Sequence, residues 1–87
     1  MLELNDEIAR NRKKLERRPP GDIGRAMALC NLADSLDDRF VEMDDIADSE
    51  EAIALYQSAL DLRPAGHSDR WDSLHSLAVC FSHRYNK

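Results

Sequence analysis

Glycine and proline are scarce in this chain: 87 residues hold three of each. So few turn formers leave room only for a few long elements. Aromatic residues make up 6% and cysteine occurs twice, which excludes a disulfide scaffold. No apolar run approaches the roughly 18 residues of a membrane span. The first residues, Met1 to Glu7, have neither the basic start nor the apolar stretch of a signal peptide. No alternating apolar pattern and no Asn-Gly or Asp-Gly hairpin turn appears, so no strand is expected. With no secretory signal, Cys30 and Cys80 read as reduced core thiols of a cytoplasmic protein.

What is present is charge and helical periodicity. Hydrophobic residues make up 43% and charged residues 33%, with a net charge of −5. The charge is segregated. Arg10 to Arg18 holds six bases and one acid, whereas Asp34 to Glu51 holds nine acids and one base, Arg39. Helices are expected over about residues 4–17, 23–41, 49–62 and 68–85, in one domain spanning 1–87. Leu4, Ile8 and Leu15 mark the inner face of the first. Leu29, Leu32, Ala33, Leu36 and Phe40 form one stripe on the second, and Ala52, Ile53, Tyr56, Ala59 and Leu60 on the third. Trp71, Leu74, Ala78, Phe81 and Tyr85 are expected to face the core from the fourth. Pro19-Pro20-Gly21 and Arg63-Pro64-Ala65-Gly66 supply stops. Glu42 to Asp48 reads as the middle connection, with Asp48 and Glu51 forming a capping box that opens the third helix.

The chain also repeats itself without a gap at an offset of 45 residues. Arg25, Leu29, Leu32, Ala33 and Arg39 return as Arg70, Leu74, Leu77, Ala78 and Arg84, and Phe40 returns as Tyr85. A repeat longer than one helix implies stacked units that bury apolar faces against their neighbours.

Residues 51–64 carry Ala52, then Tyr56, then Ala59, then Pro64. This spacing resembles the second helix of a tetratricopeptide repeat. Asn31-Leu32-Ala33 and Ser76-Leu77-Ala78 resemble the small-residue crossing point of the repeat's first helix. The period of 45 departs from the common length of about 34 and resembles the longer, kinesin-light-chain-like variants. The first helix resembles a degenerate second helix, with Asn11 and Lys14 at the positions of Tyr56 and Ala59. The resemblance therefore implies an all-α, antiparallel helix-turn-helix array in the order B, A, B, A, and a piece of a longer array.

The resemblance further implies a non-catalytic protein–protein interaction module with a peptide or protein partner in a groove lined by the A helices. Its positions map onto Met27, Cys30, Asn31, Asp34, Asp37 and Asp38 of the second helix. On the fourth they map onto Asp72, His75, Ser76, Val79, Ser82 and His83. Asn31 takes the place of an asparagine that holds the ligand backbone in family members, while its repeat counterpart is Ser76. Members that grip a terminal carboxylate use groove lysines and arginines; these positions carry none. Asp34, Asp37, Asp38 and Asp72 instead favour a basic partner.

Other chemistries find little footing. The basic run of the first helix spreads over most of its faces without an interleaved aromatic, so it reads as a solvated helix rather than a nucleic-acid or membrane patch. Cys80 and His83 sit at i, i+3 but no second ligand pair accompanies them, so no metal or cofactor is expected. No nucleophile, base and orienter set marks an enzyme. Ser73, Ser76 and Ser82 read as surface residues. The alternative reading is self-assembly, as a domain-swapped dimer or head-to-tail oligomer, because the unmatched B face at one end complements the unmatched A face at the other. The fourth helix in particular carries apolar surface that needs cover.

Overall fold

The computed structural model describes residues 2–19, 24–62 and 70–85. Four helices account for nearly all of them: α1 (Leu2–Glu16), α2 (Arg25–Met43), α3 (Ile46–Leu62) and α4 (Arg70–Tyr85). No strand occurs among the described residues. The expected starts of the second and fourth helices at 23 and 68, the turn residues Pro20-Gly21 and the whole of Arg63-Pro64-Ala65-Gly66 lie outside them.

Partner pairs fix the directions of the helices. Between α2 and α3, Arg39 meets Asp48 and Asp34 meets Tyr56, so residue numbers rise on one helix as they fall on the other. Asn5 with Arg39 and Asn11 with Ser35 make α1 antiparallel to α2. Glu50 with Arg84 and Leu60 with Arg70 do the same for α3 and α4. Cys30 with Ser73 and Asp37 with His83 keep a nearly constant offset, so α2 and α4 run parallel, side by side, close to the sequence repeat. The shortest dimension, 16 Å, suits two helix layers, with axes about 9 Å apart and about 2.3 Å of Cα radius on each side.

α2 packs against each of the other three helices and carries the core. Leu32, Ala33 and Leu36 of α2 meet Ile8 of α1, Ala52 and Tyr56 of α3 and Cys80 of α4. Leu4, Leu15, Ile53 and Leu77 pack around them. A smaller cluster of Ala26, Leu29 and Ala59 closes the other end of the α2–α3 contact. Ala52 and Ala59 are wholly buried; their small side chains let the helices approach, and Tyr56 fills the space between them.

The middle connection is shorter than the sequence suggests. Only Asp44 and Asp45 lie between α2 and α3. Asp44 takes a left-handed conformation, φ 60°, and donates its N–H to the Phe40 carbonyl at 2.8 Å, closing α2. Asp tolerates this conformation better than most residues. The expected capping box is not formed. Asp45 caps α3 instead, its Oδ1 accepting from the Ala47 N–H at 3.0 Å. Asp48 is buried and receives Arg39, and Glu51 receives Arg12. Ion pairs with arginines outweighed local capping.

The inward face of α4 also differs. Ser73 and Cys80 are its buried residues, and Leu77 packs on the core. Trp71 is 76% exposed, Tyr85 69% and Leu74 37%, and Ala78 is exposed as well. Four of the five residues of the expected core stripe point outward and Phe81 is half-buried, because α3 meets α4 on a different face from the one by which it meets α2.

Candidate functional site

A cleft of about 210 Å³ lies where α2 and α4 run parallel. It is lined by Met27, Cys30, Asn31, Asp34, Asp72, Ser73 and Ser76. The repeat offset explains the set: parallel helices bring Cys30 beside Ser73, with Sγ and Oγ 3.5 Å apart. Met27 at its rim is 59% exposed. Ser73 is almost wholly buried, contrary to the surface position its sequence suggests; the small residue allows α4 to approach α2.

Six groove positions read from the sequence thus converge: Met27, Cys30, Asn31, Asp34, Asp72 and Ser76. The others do not line this cleft. Asp38 lies on a separate depression with Glu3, Glu7, Arg10 and Glu42. His75 and Ser82 are exposed and Val79 is half-buried. His83 is half-buried, its Nδ1–H donating to Asp37 Oδ2 at 2.8 Å. Asp37 is buried and its Oδ2 accepts this contact.

Asp34 is held by the core behind it. The Tyr56 hydroxyl donates to Asp34 Oδ1 across the α2–α3 interface. Burial raises the Asp34 carboxyl above its ordinary range, the Tyr56 hydrogen bond opposes that rise, and the nearby Asp37 charge adds to it. Asp38 is raised too, by burial first and then by Asp37 and Asp34. Burial, then the Asp34 hydrogen bond, pushes the Tyr56 phenol far above its usual value. Burial and then Asp37 push the Cys80 thiol up to about 12. Such a thiol is a protonated core group rather than a nucleophile. Among the described residues no cluster of His, Cys, Asp and Glu has the arrangement of a metal site.

A second cleft, of about 540 Å³, lies on the α1 side of Met27 and Asn31, which line both. Asn11, Lys14, Arg17, Arg18, Met27 and Asn31 stand along it. Met27 and Asn31 therefore lie between an acidic end, with Asp34 and Asp72, and a basic end, with Lys14, Arg17 and Arg18. Taking groove positions from α2 and α4 alone leaves this basic end out. The signal for it was the basic run itself, which needs the α1–α2 packing to become one wall. Asn11 sets that packing: its Nδ2 donates to Ser35 Oγ at 2.8 Å and to the Asn31 carbonyl at 3.4 Å. Arg12, by contrast, points away and pairs with Glu51 through two bonds of 2.6 and 2.8 Å.

No family model, curated protein or solved structure matches this chain. None of the four helices is long and apolar enough to cross a membrane.

Proposed function

We infer that this chain is a tetratricopeptide-like, non-catalytic binding module that takes an extended peptide or protein segment across α1, α2 and α4. The observation that carries the reading is the pair of clefts that share exposed Met27 and Asn31, with opposite charges on the two sides. A basic residue of the partner sits against Asp34 and Asp72. An acidic residue sits towards Lys14, Arg17 and Arg18. Such complementarity acts mainly on association rate and register, and apolar contact with Met27 adds adaptable surface. The reading gives the protein a cytoplasmic scaffold role without nucleic acid or membrane. Opposed charges also give the site a direction, so a peptide and its reversed-charge version are distinguishable.

The test is calorimetric titration with short peptides carrying a basic and an acidic block in either order. One order binds more tightly, and Asp34→Asn with Asp72→Asn weakens it by about threefold to tenfold, the range of exposed charge pairs. Asp38→Asn, outside the cleft, leaves it unchanged. Equal affinity for both orders, or indifference to the double substitution, sinks the reading.

A further inference from the structure

The outer face of α4 is exposed where its repeat counterpart is buried. Trp71, Leu74, Ala78, Phe81 and Tyr85 correspond, at the offset of 45, to Ala26, Leu29, Ala33, Leu36 and Phe40. Each of those α2 residues is at most 6% exposed, with α3 packed along that side of α2. On α4 the same positions leave Trp71 76%, Tyr85 69% and Leu74 37% exposed, with Ala78 exposed and Phe81 half-buried. At about 100° per residue the five fall within about 80° of one helix face. This is a contiguous apolar stripe, unlike the scattered single residues that need no explanation. It lies on the opposite side of α4 from Asp72 and Ser76, and so apart from the cleft.

The charge pattern repeats as well. Arg39 is held from both sides of α2: Asn5 of α1 accepts from it at 3.1 Å, and Asp48 of α3 accepts two bonds at 2.7 Å. Its counterpart Arg84 meets Glu50 of α3 at 3.5 Å, and Glu50 is the counterpart of Asn5. Arg84 also lies over the Tyr85 ring, 5.5 Å from its centre. The second side of the Arg39 arrangement, the carboxylate of a following helix, is what an incoming helix would bring.

We propose that this face of α4 is a docking surface for one helix of a partner protein, built as α3 is built, with an acid in its first turn that meets Arg84. The incoming helix has small residues where α3 has Ala52 and Ala59, since Trp71 and Phe81 already fill space that Ala26 and Leu36 leave open. Its central aromatic is Phe rather than Tyr. Asp34, which accepts the Tyr56 hydroxyl, has Val79 as its counterpart, and a hydroxyl there would lose its acceptor. A second copy of this chain does not meet these requirements. Its α1 is the helix equivalent to α3, but places Glu7 and Lys14 where Ala52 and Ala59 stand. Packing those charges on an apolar stripe costs free energy rather than releasing it.

The probe is a synthetic peptide of residues 45–62 carrying Tyr56→Phe, titrated into the full chain. Trp71 is the chain's one tryptophan and the peptide has none, so its emission reports directly on the face. The expected result is a saturable blue shift at one peptide per chain. Leu74→Glu, at an exposed position that folding tolerates, abolishes it. Asp48→Lys in the peptide weakens binding by about tenfold, the scale of one close charge pair, and Arg84→Glu in the chain restores it. The unsubstituted peptide, with Tyr56, binds more weakly than the Phe version. No shift at any peptide concentration overturns the proposal. So does binding that ignores both Leu74→Glu and Asp48→Lys. A shift in the chain alone that grows with its own concentration also overturns it, and assigns the face to self-association.

Discussion

Tyr56 of α3 donates its hydroxyl to Asp34 of α2, so a wall of the candidate cleft is bonded directly to the centre of the core. Tyr56 is 2% exposed and its ring packs with Leu32, Leu36 and Ala52, while Asp34 faces the cleft. The position of the carboxylate is therefore set by helix packing rather than by a surface rotamer. Tyr56→Phe keeps the ring and removes the hydrogen bond. The expected loss is about 1 kcal/mol of stability, typical of one such bond, measured by urea denaturation. Because the hydroxyl holds the Asp34 pKa down against burial, the substitution also moves the Asp34 titration upward, which carboxyl NMR would follow.

Arg39 and Arg12 make two bidentate carboxylate pairs of different value. Asp48 is 6% exposed at its side chain, whereas Glu51 is 38% exposed and its partner Arg12 44%. Removing Asp48 leaves Arg39, whose side chain is 27% exposed and still meets Asn5, without its carboxylate at the α1–α2–α3 junction. Asp48→Ala should cost about 1.5–3 kcal/mol, the range for hydrogen bonds to charged groups, and Glu51→Ala less than about 1 kcal/mol. Chemical denaturation of the two variants checks the contrast; equal losses would mean that the Arg39 pair is no more than a surface bridge.

Alkaline pH should destabilise the fold through Cys80 and Tyr56. Both folded-state values are raised, the thiol from 9.0 to about 12 and the phenol further. Above about pH 9 the unfolded chain releases protons that the folded chain retains. Unfolding therefore becomes easier by up to about 1.4 kcal/mol per pH unit for each group, until the folded value is reached. Denaturation midpoints between pH 8 and 11 test this, with Cys80→Ala flattening the first part of the fall. In the same range a thiol reagent should modify half-buried Cys30 before Cys80, which is completely buried.

Binding of a basic segment should weaken on acidification, starting at a higher pH than an ordinary aspartate would give. Burial raises the Asp34 carboxyl, so it takes up its proton above the ordinary carboxylate range and loses its attraction for a cation there. Calorimetry at two pH values measures the effect, and Asp34→Asn should reduce it. A pH-independent affinity would place the cation elsewhere on the surface.

The four helices, the antiparallel helix pairs and the inner stripes of α1, α2 and α3 were legible in the sequence, because each rests on a local period or on the 45-residue repeat. The tetratricopeptide resemblance implied a shared surface for Met27, Cys30, Asn31, Asp34, Asp72 and Ser76, and these six line one cleft. Tertiary structure alone decided which acids became structural. Asp37, Asp38 and Asp48 look like Asp34 in the sequence, yet Asp48 holds Arg39, Asp37 holds His83 and Asp38 lies on another depression. A charge at helical spacing says which face it occupies, but not whether an arginine or histidine from a distant element reaches it. The same limit applies to α4. Its apolar stripe was legible, but periodicity marks a face that can be buried and only packing decides whether a partner helix covers it. α3 covers the equivalent face of α2 and leaves that of α4 open.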